Sequence, residues 1–142
     1  MNRAELERLY SDAEYRVLLS SGPAYFHVDR YDPDQESRLL EQHGDFSSFV
    51  ILTPFNPWSV ALCEQENLAR LENFRRELHE MSCAWLPSVN HDPAQCWPDE
   101  PGALIFDLPW QRVEALGRHW QQNAVVRAKK GFGPALVWLV DS

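Results

Sequence analysis

The stretch VILTPFNPWSVALCEQENLARLENF, residues 50–74, constrains the fold more than any other part of the chain. An apolar run stops at Thr53-Pro54, a polar loop carries Asn56, Trp58 and Ser59, and a helix follows. The segment FSSFVILTP is the most continuously apolar strand pattern of the chain and therefore reads as a central strand, covered on both faces. The helix runs from about residue 60 to residue 81, with Asn67, Leu71, Phe74 and Leu78 at i, i+4, i+7 and i+11 on one face. A buried strand feeding a one-sided helix calls for a sheet with helices packed on it.

The remaining segments supply that sheet. RAELERLYSDAEYRVLLS, residues 3–20, reads as helical, broken near Ser11-Asp12, where Ser11 and Glu14 have capping-box spacing. Ser21-Gly22-Pro23 stops it. AYFHVDR alternates like a strand, DPDQESRLLEQHG is a short helix with Pro33 at its start and Gly44 past its end, and CAWLPSV is a strand that Pro87 cuts short. NHDPAQCWPDEPG is a loop, ALIFDL a short strand, and PWQRVEALGRHW a helix with Trp110, Val113, Leu116 and Trp120 inward. NAVVRA and ALVWLV flank KKGFGP as a closing hairpin. The order α-β-α-β-α-β-β-α-β-β, without repeat or linker, predicts a single α+β domain over residues 1–142. It has a mixed β-sheet of about five to six strands with helices packed on it, not a doubly wound one.

Charge and cysteine usage exclude several classes. The formal charge is -8, and the only lysines are Lys129 and Lys130, so no basic face for nucleic acid or an anionic membrane is expected. No apolar run approaches the length of a membrane span, and MNRAELERLY lacks the apolar centre of a signal peptide. Cys63, Cys83 and Cys96 are odd in number and form no C-x-x-C, which suits reduced thiols. A cytoplasmic protein is expected.

Five features carry possible chemistry. The loop TPFNPWS precedes a helix N-terminus, where unpaired N–H groups attract anions, but it lacks the glycines and lysine of a phosphate loop; it reads first as a capped, proline-fixed turn. Asn67 stands on the apolar stripe where Leu would be expected, so it reads first as a staple of the preceding loop, which does not exclude its also facing a ligand that the loop surrounds. Cys63 lies near the helix start, a place that can lower a thiol pKa, yet Cys63-x-x-Glu66 also has capping-box spacing. His91, Asp92, Cys96, Asp99 and Glu100 in one loop are metal-capable types at no known ligand spacing, and no metal is expected. Gln121, Gln122 and Asn123 form a polar junction between the last helix and a strand.

TPFNPWSVALCEQENLARLENFRREL together with LGRHWQQNAVV resembles a bacterial family known as a domain of unknown function. Its members read T-A-x-N-P-x-S, then L-S-x-x-E-N-x-x-R on an amphipathic helix, and late G-Q-N-A. The resemblance covers most of the chain from Tyr25 onward. Thr53, Asn56, Pro57, Ser59, Glu66, Asn67, Arg70, Gln122, Asn123 and Ala124 match. Pro54 stands where Ala is usual, Cys63 where Ser is usual, Gln121 where Gly is usual, and DEPGALIF lacks the serine of an acidic-serine stretch. The resemblance implies that Cys63 is a replaced cap, and it implies no particular activity.

The resulting expectation is a small polar or anionic ligand at one end of the sheet, held by Asn56, Ser59, Asn67, Arg70, Gln122 and Asn123, without a cofactor. The loop before the long helix and the Gln122–Asn123 junction converge if their strands are antiparallel neighbours. A second reading, from the acidic charge and six Trp, is a protein-interaction module, which an exposed patch of Trp58, Trp85 and Trp97 would favour. A third, hydrolase or transferase, requires a base that the sequence does not single out.

Overall fold

The computed structural model describes residues 1–140. Helix α1 spans Arg3–Asp12, capped by the Asn2 side chain, which accepts from the Glu5 N–H at 2.9 Å. The strands are β1 (Glu14–Leu19), β2 (Gly22–Phe26), β3 (Ser48–Leu52), β4 (Trp85–His91), β5 (Glu100–Phe106), β6 (Ala124–Lys129) and β7 (Ala135–Trp138). Helices α2 (Pro33–His43), α3 (Glu64–Glu80) and α4 (Trp110–His119) lie between them. The described strands form one seven-stranded sheet in the order β2-β1-β4-β5-β3-β6-β7.

Five expectations are corrected. The sheet is antiparallel throughout, not mixed, and it has seven strands rather than five to six. The added strand is β1, which replaces the second half of the expected first helix. Its sequence EYRVLL buries Tyr15, Val17 and Leu19 in alternation, and a Ser20-Ser21 turn folds it onto β2, with Gly22 at φ +114 closing the hairpin. Ser11 therefore caps no second helix. Pro87 does not end β4. It pairs with Ala103 of β5, while the pairing of β4 with β1 begins only at Ser88, so the missing N–H falls where the ladder to β1 has stopped.

The sheet separates two apolar layers. Leu39 of α2 packs with Tyr15, Val17, Phe26, Phe49 and Leu104 on one face. Phe74 and Leu78 of α3, with Val113 and Leu116 of α4, pack with Val50, Ala103 and Ile105 on the other. The continuous apolar run of β3 follows from this, since both its faces are covered. Trp120 joins the second layer, its ring edge-on to Phe74 at 5.6 Å. No helix among the described residues is long and apolar enough to cross a membrane.

Candidate functional site

Antiparallel order brings one terminus of every strand to the same end of the sheet: the ends of β2, β3, β4 and β7 and the starts of β1, β5 and β6. Tyr15, Asn90 and Glu100 lie directly opposite one another across β1, β4 and β5, so their side chains leave the same face as a row. The loop after β3 folds over this end. Its start is fixed by the Thr53 hydroxyl, which donates to the Pro101 carbonyl at 2.8 Å and accepts from the Phe55 N–H. Gly102 permits the approach, because a Cβ there would sit 2.2 Å from the Leu52 carbonyl oxygen.

Asn56 and Asn67 hold the loop together. The Asn56 N–H donates to Asn67 Oδ1 at 2.9 Å, and Asn67 Nδ2 donates to Asn56 Oδ1 at 2.8 Å. The same Asn56 oxygen accepts from the Leu62 N–H, and Asn56 Nδ2 donates to Glu100 Oε2 at 2.6 Å. Both residues are buried, 6% and 5% exposed. Asn67 thus staples the loop, and these four hydrogen bonds leave the two amides little to offer a ligand. Asn56, Trp58 and Ser59 all have positive φ, a conformation that costs a non-glycine residue about 1–3 kcal/mol each.

The Gln122–Asn123 junction meets this loop, because β3 and β6 are antiparallel neighbours. Gln122 Nε2 donates to the Phe55 carbonyl at 3.1 Å, Asn123 Nδ2 donates to Ser59 Oγ at 2.8 Å, and the Trp58 N–H donates to the Gln121 carbonyl at 2.7 Å. Gln121, where the resembled pattern has glycine, sits at φ +58, the region that favours glycine. Arg70 closes the same junction. It donates to the Pro54 carbonyl at 2.7 Å, the Trp120 carbonyl at 2.8 Å and Gln121 Oε1 at 3.3 Å. Its guanidinium joins two segments of chain and is not turned toward a ligand. Nor does TPFNPWS lead directly into a helix N-terminus: α3 begins at Glu64, after a short turn at Pro57–Ser59 and an extended stretch. Its first turn already carries Glu64 and Glu66, and the Cys63 thiol donates to Glu66 Oε1 at 3.1 Å.

Beneath the loop lies a small cavity of about 30 Å³, lined among others by Tyr10, Ser59, Asn90, Glu100 and Gln122. Sequence reasoning named Asn56, Ser59 and Gln122 for it, took Glu100 only as a metal-capable loop residue, and missed Tyr10, Tyr15 and Asn90. Glu100 is partly buried, and burial raises its carboxyl pKa above the ordinary range, against the opposing hydrogen bonds of Trp97 and Asn56. Burial pushes the Tyr10 phenol up to about 12, with the Ser59 hydrogen bond pulling it down and the Glu100 charge pushing it up. Tyr15 is raised too, by burial first, and its hydroxyl donates to the Tyr10 carbonyl at 2.6 Å. Asn90 Oδ1 is buried and has no hydrogen-bond partner among the described residues. One sequence signal pointed here: Glu100, Gly102 and Leu104 alternate, so Glu100 shares the buried face of Leu104.

The loop between β4 and β5 walls the cavity. Asp92 organises it, Oδ1 accepting from the Ala94 N–H and Oδ2 from the Cys96 and Trp97 N–H groups. His91 Nδ1 pairs with Asp99 Oδ1 at 2.7 Å. These metal-capable residues bind their own loop. Among the described residues no three His, Cys, Asp or Glu side chains gather to hold a metal ion.

A model for the family described as "Protein of unknown function (DUF3293)" matches residues 52–125. The chain belongs to that family. No curated protein and no solved structure matches it. The DUF3293 match begins at the last residue of β3 and ends at the second residue of β6. It therefore takes in the loop, α3, Asn90, Glu100 and the Gln122–Asn123 junction, while Tyr10 and Tyr15 come from outside it.

Proposed function

We propose that this chain binds a small polar ligand at the cavity beside Glu100, at the end of the sheet where the two polar segments meet. The observation that carries this is the buried, unpartnered Asn90 oxygen beside the Glu100 carboxyl. Buried polar atoms are satisfied in native structures, so an unpaired acceptor on a residue that lines the cavity supports a donor arriving there from outside. Asn56, Ser59 and Gln122 line the cavity, whereas Asn67, Arg70 and Asn123 act behind it by holding the loop. The anionic alternative loses its main support, since the Arg70 donors are taken by carbonyl groups and by Gln121.

The interaction-module reading is less well supported. Trp97 lines the cavity, while Trp85 stands at the opposite end of β4, about 20 Å of strand away, beneath the Arg75 guanidinium. Trp58 is exposed, but with Trp85 at the far end of β4 the three do not form one patch. The unpaired Cys63, Cys83 and Cys96 suit a cytoplasmic setting.

A protein-observed NMR screen of small polar fragments against the full chain tests the site. Shifts concentrated at Asn56, Ser59, Asn90 and Gln122 are expected. Hits confined to other surfaces, or none from a broad set, would remove the proposal.

A further inference from the structure

The cavity adjoins an open, largely apolar cleft of about 370 Å³, and both border Phe55, Asn56, Trp97 and Pro98. The cleft's other walls include Leu62, Leu68 and Pro101. Neither wall carries a Lys, Arg or His among the described residues, whereas Asp92 and Glu100 line the cavity and Glu64 and Asp99 line the cleft. Both Asp92 oxygens are engaged by backbone N–H groups. Glu100 accepts from Asn56 through Oε2 and also from Trp97, and a carboxylate has about four acceptor positions, so capacity remains.

On the site reading given above, we propose that the ligand is a primary alkylammonium ion, its head in the cavity beside Glu100 and Asn90 and its apolar body in the cleft of Phe55, Leu62, Leu68 and Pro101. An ammonium group has three donors and no acceptor. The cavity wall carries acceptors to match: the Glu100 carboxylate, with the Ser59 and Tyr10 hydroxyls and the Asn90 amide among the residues that line it. Its size also selects. About 30 Å³ fits a water-sized head such as an ammonium better than a trimethylammonium or a guanidinium. A carboxylate or phosphate would meet Glu100 with like charge and find no cation to answer it. The chain's formal charge of -8 adds a long-range attraction of the same sign preference.

Calorimetry and protein NMR on the full chain, with propyl-, butyl-, pentyl- and hexylammonium chloride as probes and hexanol and hexanoate as controls, test this. Affinity is expected to rise about fourfold per added methylene as the cleft fills. Hexanoate should bind at least about tenfold more weakly than hexylammonium, and Glu100→Gln should weaken hexylammonium by about tenfold while leaving hexanol little changed. Leu68 is exposed, so Leu68→Gln should fold normally and flatten the chain-length dependence. If hexanol or hexanoate shifts Asn56 and Ser59 as tightly as hexylammonium does, the cavity remains a ligand site and the ammonium assignment is overturned. If no probe of any charge shifts them, the ammonium assignment fails, and an empty fragment screen would remove the site with it.

Discussion

Asn67 and Asn56 form a reciprocal amide pair, each donating to the other's side-chain oxygen, at 2.8 and 2.9 Å. One donor is the Asn56 backbone N–H, so the pair fixes the left-handed turn at Asn56 as well as the helix that carries Asn67. Asn67→Ala leaves that N–H unpaired in a buried place and is expected to lower stability by about 1–3 kcal/mol in urea unfolding. Asn67→Leu should also destabilise, although Leu suits the stripe of Phe74 and Leu78, because it supplies no acceptor. A neutral or stabilising Asn67→Leu would show that the loop does not depend on the pair.

Arg70 is expected to behave as a structural residue. Arg70→Gln removes two bonds to backbone carbonyls and should lower stability by about 2 kcal/mol, reduced by partial solvent exposure at this site. Arg70→Lys should recover only part of the loss, since one ammonium cannot reproduce the planar fork that reaches Pro54, Trp120 and Gln121 together. A melting temperature unchanged in Arg70→Gln would return the guanidinium to the list of groups free for a ligand.

Much of this arrangement was readable from local pattern. The periods of β3, α3 and α4 located the apolar layer that they build together, and Asn67 betrayed itself by breaking the apolar stripe. β1 was not readable, because AEYRVLL satisfies a helical and a strand period alike, and the choice is made by its distant partners β2 and β4. The direction of the Arg70 donors depends on carbonyls more than a dozen residues away. Glu100 gains its place from Tyr15 and Asn90 on two other strands and Tyr10 on a helix, a juxtaposition set by register, which no spacing within one segment records.

Gln121 offers a test of stored backbone strain. At φ +58 a glutamine bears a cost that glycine avoids. Gln121→Gly should raise stability by about 0.5–1 kcal/mol, the gain limited by the lost contact to Arg70 and by glycine's greater freedom when unfolded. Gln121→Ala loses the same contact without easing the backbone, so it should be less stable than the native protein. Thermal unfolding of the two variants separates the effects, and equal melting temperatures for Ala and Gly would discard the strain account.

Glu100 links the cavity to pH. Burial raises its carboxyl pKa above the ordinary 4.5, so the folded protein holds this proton more tightly than the unfolded chain does. The stabilisation from protonation is therefore complete below about pH 4.5 and is lost as pH rises through the raised pKa. Its charged neighbours do not reverse the sign: Asp92 is another carboxylate, and Tyr10 and Tyr15 stay neutral with raised pKa values. Glu100→Gln keeps an oxygen to accept from Asn56 Nδ2 and carries no charge. The variant should accordingly melt higher than the native protein at pH 7, and the difference should shrink as pH falls toward 4, where both side chains are neutral. An alkylammonium in the cavity would narrow the same gap from the other side, by stabilising the native carboxylate alone. If Glu100→Gln melts lower at every pH, Asn56 and Trp97 outweigh burial, and the carboxylate is a stabilising ion of the empty protein.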